Sequence, residues 1–123
     1  MRPIAVVVDD QRAIADTLTV ILAGNGFDAT AAYDGESGLE LASAIVPDVL
    51  ITDVVMPGMS GIELAMAVRE IIPACKVLLF SGQAATADLL VDARAKGHEF
   101  RLLVKPVHPT DLLAHVSSLM ETG

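Results

Sequence analysis

The sequence predicts an α/β fold, a doubly wound sheet of five parallel strands, and three observations predict it. First, the runs Ile4–Val8, Val49–Ile51, Val77–Phe80 and Leu102–Val104 are continuously apolar and short. Runs of that kind read as strands buried on both faces, as in a parallel sheet. Second, helical periodicity separates them, so the order is β-α repeated five times. Right-handed crossovers then place helices on both faces. Third, each run ends in a polar group: Asp9–Asp10, Asp53, Ser81 and Lys105–Pro106. In an open parallel sheet, ligands bind outside the carboxyl ends of the strands.

The elements follow in order. Ile14, Leu18, Ile21 and Leu22 share one helical face, and Gly24-Asn25-Gly26 stops that helix. A weaker strand spans Phe27 to Ala32, with a turn at Asp34-Gly35. Leu39, Ala42 and Val46 mark a second helix that ends at or before Pro47. After the Asp53 strand, Met56-Pro57-Gly58-Met59 is a loop. Ser60-Gly61-Ile62-Glu63 has capping-box form, and Leu64, Ala67, Val68 and Ile71 line the third helix, closed by Pro73. Thr86 to Lys96 is a fourth helix with few large apolar residues, stopped by Gly97. The last begins near Pro109 and carries Leu112, Val116 and Leu119.

With 123 residues, 53% of them hydrophobic, the chain is long enough for one domain with a real core. The elements fill residues 1–123 and leave nothing for a second domain. A net charge of −8 with 3% aromatic residues argues against direct nucleic-acid binding. No run approaches the roughly 20 apolar residues of a membrane span. The opening Met-Arg-Pro enters a strand at once, so no secretory signal is expected. A single cysteine, Cys75, excludes an internal disulfide, suits the cytoplasm and reads as a small side chain beside the Pro73 turn. His98, His108 and His115 lack metal-ligand spacing and read as surface residues.

The strand-end groups carry the chemistry. Taken singly, paired acids after a strand often serve only a helix N-terminus, where negative charge is favoured. Ser81 could be an ordinary strand-end serine and Lys105 a solvated lysine. Asp53 differs, because it precedes a loop rather than a helix. Bringing three carboxylates within about 5 Å costs on the order of 3 kcal/mol per ionised pair at an effective dielectric of about 20. A cation must compensate. Mg²⁺ is the natural candidate, since it takes oxygen ligands and keeps waters that a phosphate can replace. Asp53 could then attack phosphorus to give an acyl phosphate, with Lys105 and the ion neutralising charge and Ser81 donating a hydrogen bond.

Val-Val-Asp-Asp at 7–10, Ile-Thr-Asp-Val-Val-Met-Pro-Gly-Met-Ser-Gly at 51–61, Phe-Ser-Gly at 80–82 and Val-Lys-Pro at 104–106 carry a resemblance. From Ile4 to about Met120 the chain resembles the receiver domain of two-component response regulators, whose fold is flavodoxin-like. The resemblance implies Asp53 as phosphoacceptor, Asp10 as a direct Mg²⁺ ligand, Asp9 binding through water, and the Val55 carbonyl as a further ligand. It implies Ser81 as the switch hydroxyl, Lys105 paired with the phosphoryl group, and a cis Lys105–Pro106 bond. The implied donor is a histidine kinase or a histidine phosphotransfer protein, and the downstream target is unknown. Two positions depart from the pattern. Leu102 stands where the family often has an aromatic switch, and Phe100, two residues earlier, reads either as core, the favoured reading, or as a displaced substitute. Val55 and Gln83 occupy positions that tune hydrolysis of the acyl phosphate, and an apolar Val55 cannot orient the attacking water. Met56 and Met59 either meet a partner or pack on the sheet.

Other classes fit these residues less well. An aspartyl-nucleophile phosphatase would want an acid at Val55. A flavin-binding domain would want a phosphate loop where Asp9 and Asp10 stand. The remaining alternative is a pseudo-receiver, a protein-interaction module that is not phosphorylated, against which the intact set Asp9, Asp10, Asp53, Ser81 and Lys105 argues.

Overall fold

Parallel pairing throughout the sheet places the carboxyl end of every strand on one edge. The computed structural model describes residues 2–82, 86–98 and 100–121, the side chains of 86–89 excepted. Among these, the elements run β1 (Ile4–Val8), α1 (Arg12–Ala23), β2 (Asp28–Ala32), α2 (Gly35–Ile45), β3 (Val49–Asp53), α3 (Gly61–Ile71), β4 (Lys76–Ser81), α4 (Thr86–Ala95), β5 (Arg101–Val104) and α5 (Pro109–Glu121). All pairings are parallel, in the order β2-β1-β3-β4-β5.

Strand alternation divides the core between the two faces. Val6, Val8, Leu50, Val77 and Leu79 meet α2 and α3 residues such as Ala42, Leu64 and Val68. Ala5, Val7, Val49, Ile51, Leu78 and Phe80 meet Leu18 and Leu22 of α1 and Leu112 and Val116 of α5. β1, β3 and β4 are therefore buried on both faces, as their composition predicts. β5 is not. It is an edge strand, and Val104 is 71% exposed.

Helix ends follow local chemistry. Ser60 caps α3 by accepting the Glu63 N–H at 3.1 Å, while the Glu63 carboxylate accepts the Ser60 N–H at 3.0 Å. In α3, Ile62, Leu64, Ala65 and Val68 are buried, while Ile71, expected on the inner face, is the last residue of the helix and 56% exposed. Val46, expected to line α2, is instead its C-cap, in the left-handed region at φ 51° and exposed. The pyrrolidine ring of Pro47 disfavours a helical conformation there. No helix among the described residues is long and apolar enough to cross a membrane.

Candidate phosphoryl and metal site

Sheet register sets the site. Val8 lies opposite Thr52, so Asp9 falls level with Asp53 on the neighbouring strand. Asp53 lies opposite Phe80, which puts Ser81 one residue further out, and Ser81 lies opposite Val104, so Lys105 comes next. The Lys105 N–H donates to the Ser81 carbonyl at 3.0 Å, and the Lys105–Pro106 bond is cis. Beyond Asp53, the Val54 N–H donates to the Phe80 carbonyl and the Gly61 N–H to the Val54 carbonyl. α3 comes so close here that a Cβ on Gly61 would fall on the Asp53 carbonyl oxygen. Gly61 is thus a structural requirement of the site; the sequence marked it within the capping box but assigned it no role.

Asp9, Asp10 and Asp53 each present a carboxylate oxygen within 4.8 Å of the others. Asp9 is fully buried, Asp53 nearly so, and Asp10 exposed. Lys105 Nζ lies 3.2 Å from Asp53 Oδ2 and 3.8 Å from Asp9 Oδ2, with its ammonium over the Phe80 ring at 5.2 Å. One lysine against three acids leaves the cluster short of positive charge. Burial pushes the Asp53 carboxyl above its usual range, and the nearby Lys105 only partly offsets this. Asp9 is also pushed up, chiefly by burial and in part by Asp53, against the lowering effect of the hydrogen bond from the Gln11 N–H.

That hydrogen bond, 3.0 Å to Asp9 Oδ1, is the helix-end role that paired acids often have. The other oxygen, Oδ2, is buried without a hydrogen-bond partner. An orphaned buried carboxylate oxygen, facing two further carboxylates in an all-oxygen set, fits a hard divalent cation such as Mg²⁺. Ser81 is buried at the same edge. Val55 is 49% exposed beside Asp53, and Gln83 lies outside the described residues.

Several neighbouring expectations resolve. Met56 is buried and Met59 packs on the α2–α3 core, so both are packing residues. Phe100 also packs there, under the Arg69 guanidinium and stacked on His98. It stands four residues before Val104, the partner of Ser81, about 13 Å away along the strand. Cys75 is buried, and burial pushes its thiol up to about 11. Of the histidines, His108 is exposed, whereas His98 stacks on Phe100 and His115 is half-buried with its Nδ1 shielded, so neither is a plain surface residue.

Residues 5–117 match the family model described as the response regulator receiver domain. The chain is 29% identical to the DNA-binding response regulator MtrA of Mycobacterium tuberculosis over 94% of its own length and 50% of that protein. The chain therefore spans about half the length of the curated relatives it matches first. Among solved structures, it superposes on chemotaxis protein CheY4 of Vibrio cholerae with a TM-score of 0.86 at 28% identity, covering 97% of this chain and 99% of that one. A CheY-like receiver domain protein from Methanospirillum hungatei gives 0.90 at 25% identity over 99% and 96%.

Proposed function

The chain belongs to the response regulator receiver domain family, and on that premise we propose that it is a Mg²⁺-dependent phosphorelay switch, a single receiver unit across residues 1–123, whose phosphoacceptor is Asp53. The observation that carries this is the juxtaposition of three acids with one lysine, the ammonium 3.2 Å from Asp53 Oδ2. Asp9, Asp10, Asp53 and the Val55 carbonyl would hold the ion, which would supply positive charge to the phosphoryl oxygens. In the transfer, the phosphorus–nitrogen bond of a phosphohistidine breaks as an Asp53 carboxylate oxygen bonds to phosphorus, and the imidazole departs with the electron pair. Lys105 neutralises charge on the phosphoryl group, and the Ser81 hydroxyl donates to one of its oxygens. The exposed Val55 side chain offers no base or acceptor to orient water, which favours a persistent acyl phosphate.

The donor in this reading is a histidine kinase or histidine phosphotransfer protein in the cytoplasm, and the domain catalyses its own modification rather than turning over an external substrate. Output passes through a change in partner binding at its surface. Incubation with acetyl phosphate and Mg²⁺ followed by intact-mass measurement tests it. Wild type should gain one phosphoryl group and Asp53→Asn none. An unmodified wild-type protein that nonetheless binds Mg²⁺ would leave the pseudo-receiver in its place.

A further inference from the structure

Outside the acidic cluster, one set of contacts bears on it. The turn into α1 follows Asp10 directly, and beyond the Asp9 bond to the Gln11 N–H the helix start has no side-chain cap: Gln11, the N-cap, makes no side-chain cap hydrogen bond, and no acid occupies the first turn. It carries Arg12 instead, a cation at the positive end of the helix dipole. Arg12 is held elsewhere. Its guanidinium lies over the Tyr33 ring at 4.0 Å, and the Tyr33 hydroxyl donates to Asp16 Oδ1 at 2.6 Å. Arg12 and Asp16 are i and i+4 on one helical face, so the two grip one tyrosine.

Tyr33 directly follows Ala32, the last residue of β2, whose carbonyl accepts the Asp9 N–H at 3.2 Å. The loop 9–11 is thereby bracketed by the end of β2: Asp9 is tied to Ala32, and Arg12 to Tyr33. Asp10, exposed between the two anchors, takes its direction from this loop. We propose that Arg12, Tyr33 and Asp16 form a clasp that positions Asp10 for the divalent cation. The proposal rests on the metal-site reading above and assigns three positioning residues to it. Without the clasp, mutual repulsion of the carboxylates turns Asp10 outward in the metal-free protein. Binding must then reverse that displacement, a preorganisation cost that appears as weaker affinity.

The test is calorimetric titration of MgCl₂ into wild type, Tyr33→Ala, Tyr33→Phe and Arg12→Ala, with no phosphodonor present. Tyr33→Ala and Arg12→Ala should raise the Mg²⁺ Kd about two- to fivefold, the range that an exposed cation–π contact can contribute. Tyr33→Phe keeps the ring beneath Arg12 and should lie between them and wild type. Amide hydrogen exchange at Ala13 to Ala15 in the metal-free variants should quicken in the same order. Since the three side chains lie at the surface or half-buried, all variants should fold. An unchanged Kd in both alanine variants, with or without a lower melting temperature, would overturn the proposal while leaving the metal site standing. A wild-type protein that takes up no Mg²⁺ would overturn the metal site, and the clasp with it.

Discussion

Replacing Asp53 with asparagine should make the metal-free protein more stable. Asp53 repels two carboxylates whose oxygens lie within 4.8 Å, which is about 3.5 kcal/mol for each ionised pair at an effective dielectric of about 20. Against this stands its attraction to Lys105 at 3.2 Å, about 5 kcal/mol on the same scale. The balance favours removing the charge by about 2 kcal/mol, and burial of the ionised carboxylate acts in the same direction. The sign agrees with titration. The folded-state value of Asp53 is raised above its ordinary 3.8, so the fold holds this proton more tightly than the unfolded chain does. Stability therefore falls as pH rises from about 3.8 through the elevated value. For a domain of this size the substitution should raise Tm by roughly 6–10 °C. Thermal melts in EDTA at pH 7 and pH 4 check it: the gap should be wider at the first than at the second. Saturating Mg²⁺ should narrow or reverse the gap at pH 7, because only wild type gains full binding linkage. A lower Tm for Asp53→Asn in EDTA, or a gap indifferent to pH, would refute the reasoning.

Two further substitutions separate local effects. Val46→Gly should stabilise the protein by about 1 kcal/mol, since a β-branched residue at positive φ gives way to one without a Cβ; a higher urea midpoint at unchanged slope would show it. Asp9→Asn keeps an oxygen for the Gln11 N–H and Asp9→Ala does not, so alanine should be less stable by about 1 kcal/mol. Both should bind Mg²⁺ far more weakly than wild type, by calorimetry.

The sequence made β1, β3 and β4 legible because central parallel strands are apolar on both faces and cannot easily be mistaken for solvated segments. It misjudged β5 for a related reason. Leu102-Leu103-Val104 has the composition of a central strand, but exposure of Val104 follows from the sheet order β2-β1-β3-β4-β5, which no local pattern states. Ile71 breaks the expected pattern because it is the last residue of α3, at the helix end, where it is 56% exposed while Leu64 and Val68 of the same stripe are buried. The gathering of Asp9, Asp10, Asp53, Ser81 and Lys105 was legible because the carboxyl ends of parallel strands share an edge. The clasp was not, since Tyr33 and Asp16 stand 17 residues apart and neither type marks a site by itself.

Asp9 shows how two sequence readings that competed there become compatible in three dimensions. A pair of acids after a strand serves a helix start or a cation, and the choice looks exclusive while each residue counts as one charge. A carboxylate has two oxygens, and at Asp9 they divide the work. Oδ1 accepts the Gln11 N–H at 3.0 Å, which secures the turn into α1. Oδ2 is left buried, without a hydrogen bond, 3.8 Å from Lys105. The helix-end bond holds the side chain in one orientation, and that orientation presents the second oxygen to the other acids. Burying a carboxylate with one oxygen unsatisfied is costly, a cost that the divalent cation proposed for this cluster would offset. The local role of Asp9 thus supplies the rigidity that its proposed role in the site requires.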